Sequence, residues 1–145
     1  MRTVDIYIDT SIKGPRRRDG TCLYILAFQA ANGKTADRGR QISHEKTTEN
    51  QLTLLGLEAA LRHLTEPCHL ILHLECTYVA SALQNRWFDE WRHNGWMNAK
   101  NKVVSNADTW QAIEYLLNAH TFEVVLKQPH TYRDWMQREL TGNRD

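Results

Sequence analysis

The sequence predicts an α/β fold: one mixed five-stranded sheet, three antiparallel strands then two βα units, with helices on both faces. Three observations point to this architecture. Short apolar or alternating stretches recur five times, each bounded by turn or breaker residues, as strands are. The first three follow one another through loops alone, while the last two are separated by helical periodicity, the pattern of parallel units. A chain of 145 residues with 41% hydrophobic and 24% charged side chains is long enough for one domain, residues 1–145, with a real core.

Val4, Ile6 and Ile8 alternate with Asp5, Tyr7 and Asp9, so this first strand is half-buried. Gly14-Pro15 and Arg16-Arg17-Arg18 mark a loop. Cys22 to Ala30 is a second strand, Asn32-Gly33 a turn, and the polar stretch Asp37 to His44 an edge strand. Thr47 or Thr48 caps a helix that runs to about Leu64, with Glu49 in its first turn and Glu66-Pro67 as its stop. His69 to Glu75 is almost continuously apolar and reads as a strand covered on both faces. Helices are expected over Thr77–Asn85, over Trp87–Trp96 with Asn94-Gly95 as closure, and from an Asp108 cap to about His120. Met97 to Asn106 is a polar loop. Thr121 to Lys127 is the last strand, Pro129 breaks it, and Tyr132 to Leu140 is a short terminal helix.

Eighteen basic residues stand against 17 acidic ones, so net charge alone gives no argument for a nucleic-acid partner. No apolar run approaches a membrane span, and MRTVDIYID lacks the features of a signal peptide. Cys22, Cys68 and Cys76 form no zinc pattern and read as reduced thiols of a cytoplasmic protein. Five tryptophans are many for this length, and four fall between Trp87 and Trp110.

In open α/β sheets, function collects beyond the carboxyl ends of strands. Asp9 ends the first strand and Glu75 ends the fourth. Neighbouring acids repel unless a cation or proton separates them, and hard oxygen ligands suit Mg²⁺ or Mn²⁺. Asp134, early in the last helix, is a third ligand or a first-turn acid complementing the helix dipole. His130, in the preceding loop, is a candidate for proton transfer or simply a solvated side chain.

These residues resemble type-1 ribonuclease H over nearly the whole chain. The resemblance rests on Ile6-Tyr7-Ile8-Asp9-Thr10-Ser11, on Thr47-Thr48-Glu49-Asn50, on Glu75-Cys76-Thr77-Tyr78-Val79, and on Trp87, Trp91, Asn94-Gly95-Trp96, Val104, Asn106, Asp108 and Trp110. It implies a handle at about residues 87–106, packed onto the body by its tryptophans. It also implies a carboxylate tetrad holding two divalent ions that hydrolyse the RNA strand of an RNA–DNA hybrid. Asp9 matches the first acid and Glu75 the third. The second falls on Thr53, which is not an acid; Glu49 lies one turn earlier and is a partial substitute, whereas Glu58 faces elsewhere. The fourth is Asp134 or, if Arg138-Glu139-Leu140 is paired with the acid-Glu-Leu run of the family, Arg138.

The hybrid would meet Arg16, Arg17 and Arg18 in the first loop, together with Thr10, Ser11, Thr53 and Thr77. By resemblance, Thr48 meets the DNA-strand phosphate and Asn50 the minor groove. Arg92, Lys100 and Lys102 make a handle of modest basicity. The sequence therefore leads to a monomeric hybrid nuclease using Mg²⁺ or Mn²⁺, weakened by the loss at Thr53. Its alternative is an inactive module of the same fold that binds hybrid or other nucleic acid. Restoring an acid at Thr53 should raise cleavage if Asp9 and Glu75 form a metal cradle. A third reading, an interaction module, requires exposed tryptophan rings in the handle.

Overall fold

Period-two patterning and helical capping give ten elements in a computed structural model that describes residues 1–33 and 35–142. They run β1 (Arg2–Thr10), β2 (Arg18–Gln29), β3 (Thr35–Thr47), α1 (Glu49–Leu61), β4 (Cys68–Leu74), α2 (Thr77–Gln84), α3 (Trp87–His93), α4 (Ala107–Leu117), β5 (Thr121–Leu126) and α5 (Arg133–Thr141). The sheet order is β3-β2-β1-β4-β5. The pairs β1/β2 and β2/β3 are antiparallel, and β4 lies parallel to both β1 and β5.

Alternation along the strands sorts the sheet into two faces. Ile6, Ile8, Cys22, Tyr24, Leu70 and Leu72 point into the larger core, which also takes buried side chains from α1, α2 and α4. Tyr7, Leu23, Ile25 and Ala27 point the other way, where Met136 and Leu140, one turn apart on α5, cover them. Helix α1 is buried on several sides because it lies between the sheet and α4. Its approach to the sheet needs Gly56: a Cβ there would run into the Cys22 sulfur and stand 3.3 Å from Ile8 Cγ2. Gly56→Ala should lower stability by about 1–2 kcal/mol despite alanine's better helix propensity, because overpacking outweighs it. Thermal melts of the two proteins check this.

Several boundaries differ from the sequence reading, each for a local reason. Thr48, not Thr47, caps α1, its hydroxyl accepting from Gln51 N. The helix stops at Leu61 instead of Leu64, and its last turn tightens through His63 and Leu64 amides bonded to Ala60 and Leu61 carbonyls. Helix α3 ends at His93, before Trp96, because Gly95 and Trp96 both adopt positive φ. Asp108 does not cap α4. Asn106 does so with φ 60, a left-handed conformation asparagine tolerates, and Asp108 lies in the first turn. The helix closes at Leu117, short of His120. Arg18 belongs to β2, across a register shift from Gly20, and β3 runs beyond Asp37–His44 at both ends. Strand β4 is fully buried on one face only, since α5 covers β1 and β2 and leaves His69, Ile71 and His73 half-exposed.

The tryptophans of the 87–110 segment pack inward. Trp110 is fully buried, 5.5 Å from the Trp91 ring and 6.4 Å from Phe88, and Trp87, Trp91 and Trp96 lie against the same core. The exposed rings that an interaction module would need are absent from this segment. No helix among the described residues is long and apolar enough to cross a membrane. Cys22, Cys68 and Cys76 are free and buried.

Candidate active site at the carboxyl ends of β1 and β4

Strand register brings the two acids together. Ile8 pairs with Leu74 across the parallel β1/β4 ladder, so Asp9 and Glu75 are the next residues on neighbouring strands. Asp9 is buried, 6% exposed, and accepts from Thr10 N at 2.8 Å. Glu75 is half-buried. Asp9, Glu49, Asn50, Glu75 and Thr77 line one pocket. Asp134 and Arg138 lie beyond Asp9 in an adjoining pocket, both exposed. The β-strand ends therefore gather Asp9, Glu75 and Glu49 on one side and Asp134 on the other.

Cations already meet both strand-end acids. Lys13 Nζ donates to Asp9 Oδ1 at 2.5 Å, and Arg133 Nη2 donates to Glu75 Oε1 at 2.9 Å. Lys127 lines the same pocket. Glu49 Oε1 accepts from Gly14 N at 3.0 Å, which ties the first loop to the start of α1. Thr53 is buried beside Cys76, whose thiol donates to Asn50 Oδ1 at 3.1 Å. Burial pushes that thiol's pKa up, so it stays protonated at neutral pH. The helix position that resembles an acid thus faces a neutral thiol–amide link.

Two divalent ions about 4 Å apart need a surplus of negative ligands. Here three carboxylates share a pocket with three side-chain cations. Among the described residues no three His, Cys, Asp or Glu side chains are grouped to hold a metal ion. As arranged, the donor set does not fit a two-ion centre.

The remaining sequence candidates separate into several roles. The Thr10 hydroxyl is buried and donates to Ile12 O at 2.7 Å, so it fixes the loop instead of facing a ligand. Ser11 Oγ accepts from Thr21 N, closing the β1–β2 connection. Arg16, Arg17 and Arg18 are all exposed, and Arg17 donates to Lys46 O and Arg18 to Lys13 O, stapling the loop to its surroundings. Thr48 is occupied as the α1 cap, and Thr77 is exposed at the start of α2. Arg92 is paired with Asp89 and with Glu114 of α4. Lys100 and Lys102 are exposed on the 97–103 loop, which Asn98 Oδ1 braces by accepting from both of their amides.

His130 is not free in its loop. Its ring lies 4.4 Å from that of Tyr7, which stacks on His73 at 4.2 Å, and its Nδ1 accepts from Tyr132 N. Burial, then His73 and Arg133, hold its pKa below the usual histidine range, so the ring is neutral at pH 7. His73 Nε2 meets Asp5 Oδ1 at 2.8 Å, completing a packed aromatic group under the start of α5.

Sequence reasoning missed Lys13, Lys127 and Arg133. Lys13 carried a faint clue, four residues after Asp9 and just before the Gly14 turn. Arg133 and Lys127 reach the pocket only through packing of α5 and the end of β5.

A mixed five-stranded sheet with acids at adjacent strand ends and a helical excursion defines the α/β class of this chain. A family model for RNase H matches residues 1–133, and the chain belongs to that family. A ribonuclease H of Chlorobium luteolum is 40% identical over 123 residues, covering 83% of this chain and 79% of that protein. That of Oleidesulfovibrio alaskensis is 34% identical over 131 residues, covering 90% and 81%. Among solved structures, LC9-RNase H1, described as a type 1 RNase H with the type 2 active-site motif, superposes with a TM-score of 0.77 at 20% identity, over 99% of this chain and 74% of that one. The foamy viral protease-reverse transcriptase in complex with RNA/DNA hybrid gives a TM-score of 0.69 at 17% identity, over 96% of this chain and 19% of the viral one.

Proposed function

We propose that the chain is a ribonuclease H-like nuclease directed at the RNA strand of RNA–DNA hybrids, with a slow hydrolytic step. The observation that supports the reading is the placement of Asp9 and Glu75 side by side at the β1 and β4 ends in a chain of this family. The slow step follows from Thr53 at the helix-acid position and from the cations on both acids. Each cation must leave its acid before that carboxylate is available to Mg²⁺ or Mn²⁺. The free, buried thiols accord with a cytoplasmic setting.

A labelled hybrid incubated with the protein at millimolar Mg²⁺ or Mn²⁺ tests the reading. Cleavage is expected to be slow and to vanish in Asp9→Asn. Equal product from wild type and Asp9→Asn would reject the nuclease. Retained salt-dependent hybrid binding would then favour the second reading, a binding module of the same fold, which the ion-paired acids also support.

A further inference from the structure

We propose that Lys13 and Arg133 serve as tethered cations at this site, so that a nucleic-acid phosphate is held there without a divalent ion. The inference rests on the hybrid-directed reading above and specifies how the phosphate is gripped. Lys13 Nζ sits on buried Asp9 while 56% of its side chain is exposed. An ammonium has three donors, and the Asp9 contact uses one. The others stand at the pocket mouth.

Arg133 has the complementary position. Its Nη2 is on Glu75, and its Nε is buried with no hydrogen-bond partner. That Nε is closed off from solvent, so a ligand would meet Arg133 through the exposed 30% of its side chain. Lys127 adds a third positive charge, and exposed Arg138 stands with Lys13 around the adjoining pocket beside Asp9. The two acids thus anchor Lys13, 56% exposed, and Arg133, 30% exposed. Where a metal would neutralise both the carboxylates and the phosphate, the ammonium and guanidinium do so from within the chain.

Charge arithmetic favours the tethered groups. An intrachain cation pays no association entropy, and a free divalent ion must displace it from each acid. A divalent ion is therefore disfavoured at both acids while their cations stay in place.

Two measurements on the intact chain test this. Electron paramagnetic resonance of free Mn²⁺ should show no site tighter than about 1 mM in wild type, and a site at least about tenfold tighter in Lys13→Ala/Arg133→Ala, where both carboxylates are released. Fluorescence polarisation with a labelled RNA–DNA hybrid should give the same affinity in EDTA as in Mg²⁺. In EDTA, Lys13→Gln should weaken binding about tenfold and lower the salt slope by about 1. Lys13 is mostly exposed, so its variants retain the fold. Micromolar Mn²⁺ binding by wild type, or hybrid binding that disappears in EDTA and returns with Mg²⁺, would overturn the proposal. Absence of hybrid binding at low salt in both buffers rejects the hybrid-directed reading, and the Mn²⁺ measurement then still decides whether the cations occupy the acids.

Discussion

Thr53→Glu is expected to lower the melting temperature by on the order of 10 °C and to leave cleavage unimproved. Thr53 is 2% exposed on the α1 face that meets Cys76. A glutamate there must bury either an unpaired carboxylate or a protonated acid larger than the space allows. An uncompensated buried charge costs about 3–5 kcal/mol, and a chain of this size loses roughly 2–4 °C per kcal/mol. Lys13 and Arg133 remain on Asp9 and Glu75, so the new acid finds no vacant partner carboxylates with which to share an ion. Calorimetry and the hybrid assay in Mn²⁺ check both parts. A rise in Mn²⁺-dependent cleavage from this substitution alone would show that the acids accept metal with their cations in place.

Trp110→Ala should cost about 3–5 kcal/mol. Trp110 is among the largest fully buried side chains and touches both Phe88 and Trp91. Its loss removes the ring that fixes α3 and α4 against one another. Its indole Nε1 has no hydrogen-bond partner, so Trp110→Phe removes little polar stabilisation and should retain most of the stability. Urea unfolding of the three proteins separates these cases. Equal midpoints for wild type and Trp110→Ala would mean that the 87–110 excursion is held by other contacts.

The 87–106 segment also shows how far charge counting carries. Arg92 reads as a nucleic-acid contact in the sequence, yet it is engaged by Asp89 and Glu114. Lys100 and Lys102 remain exposed. In the first loop all three consecutive arginines are exposed, and two of them donate to backbone carbonyls. A run of like charge in sequence therefore becomes three exposed cations, two of which also brace the backbone around them.

The sequence by itself determined the five strands, their mixed pairing and the helices between them, because those follow from local periodicity. Val4, Ile6 and Ile8 alternate on one strand, Thr47-Thr48 marks the start of α1, and the packed tryptophan excursion is what the family resemblance implied. Sequence order also made Asp9 and Glu75 visible as strand-end acids. Only the tertiary structure decided what meets them. Lys13 returns to Asp9 through a tight loop, Arg133 arrives on a helix 58 residues from Glu75, and Thr53 turns to Cys76. Such contacts depend on how separate elements dock, which local propensity does not encode. The charge at the site, unlike the strands that carry it, is a property of that docking.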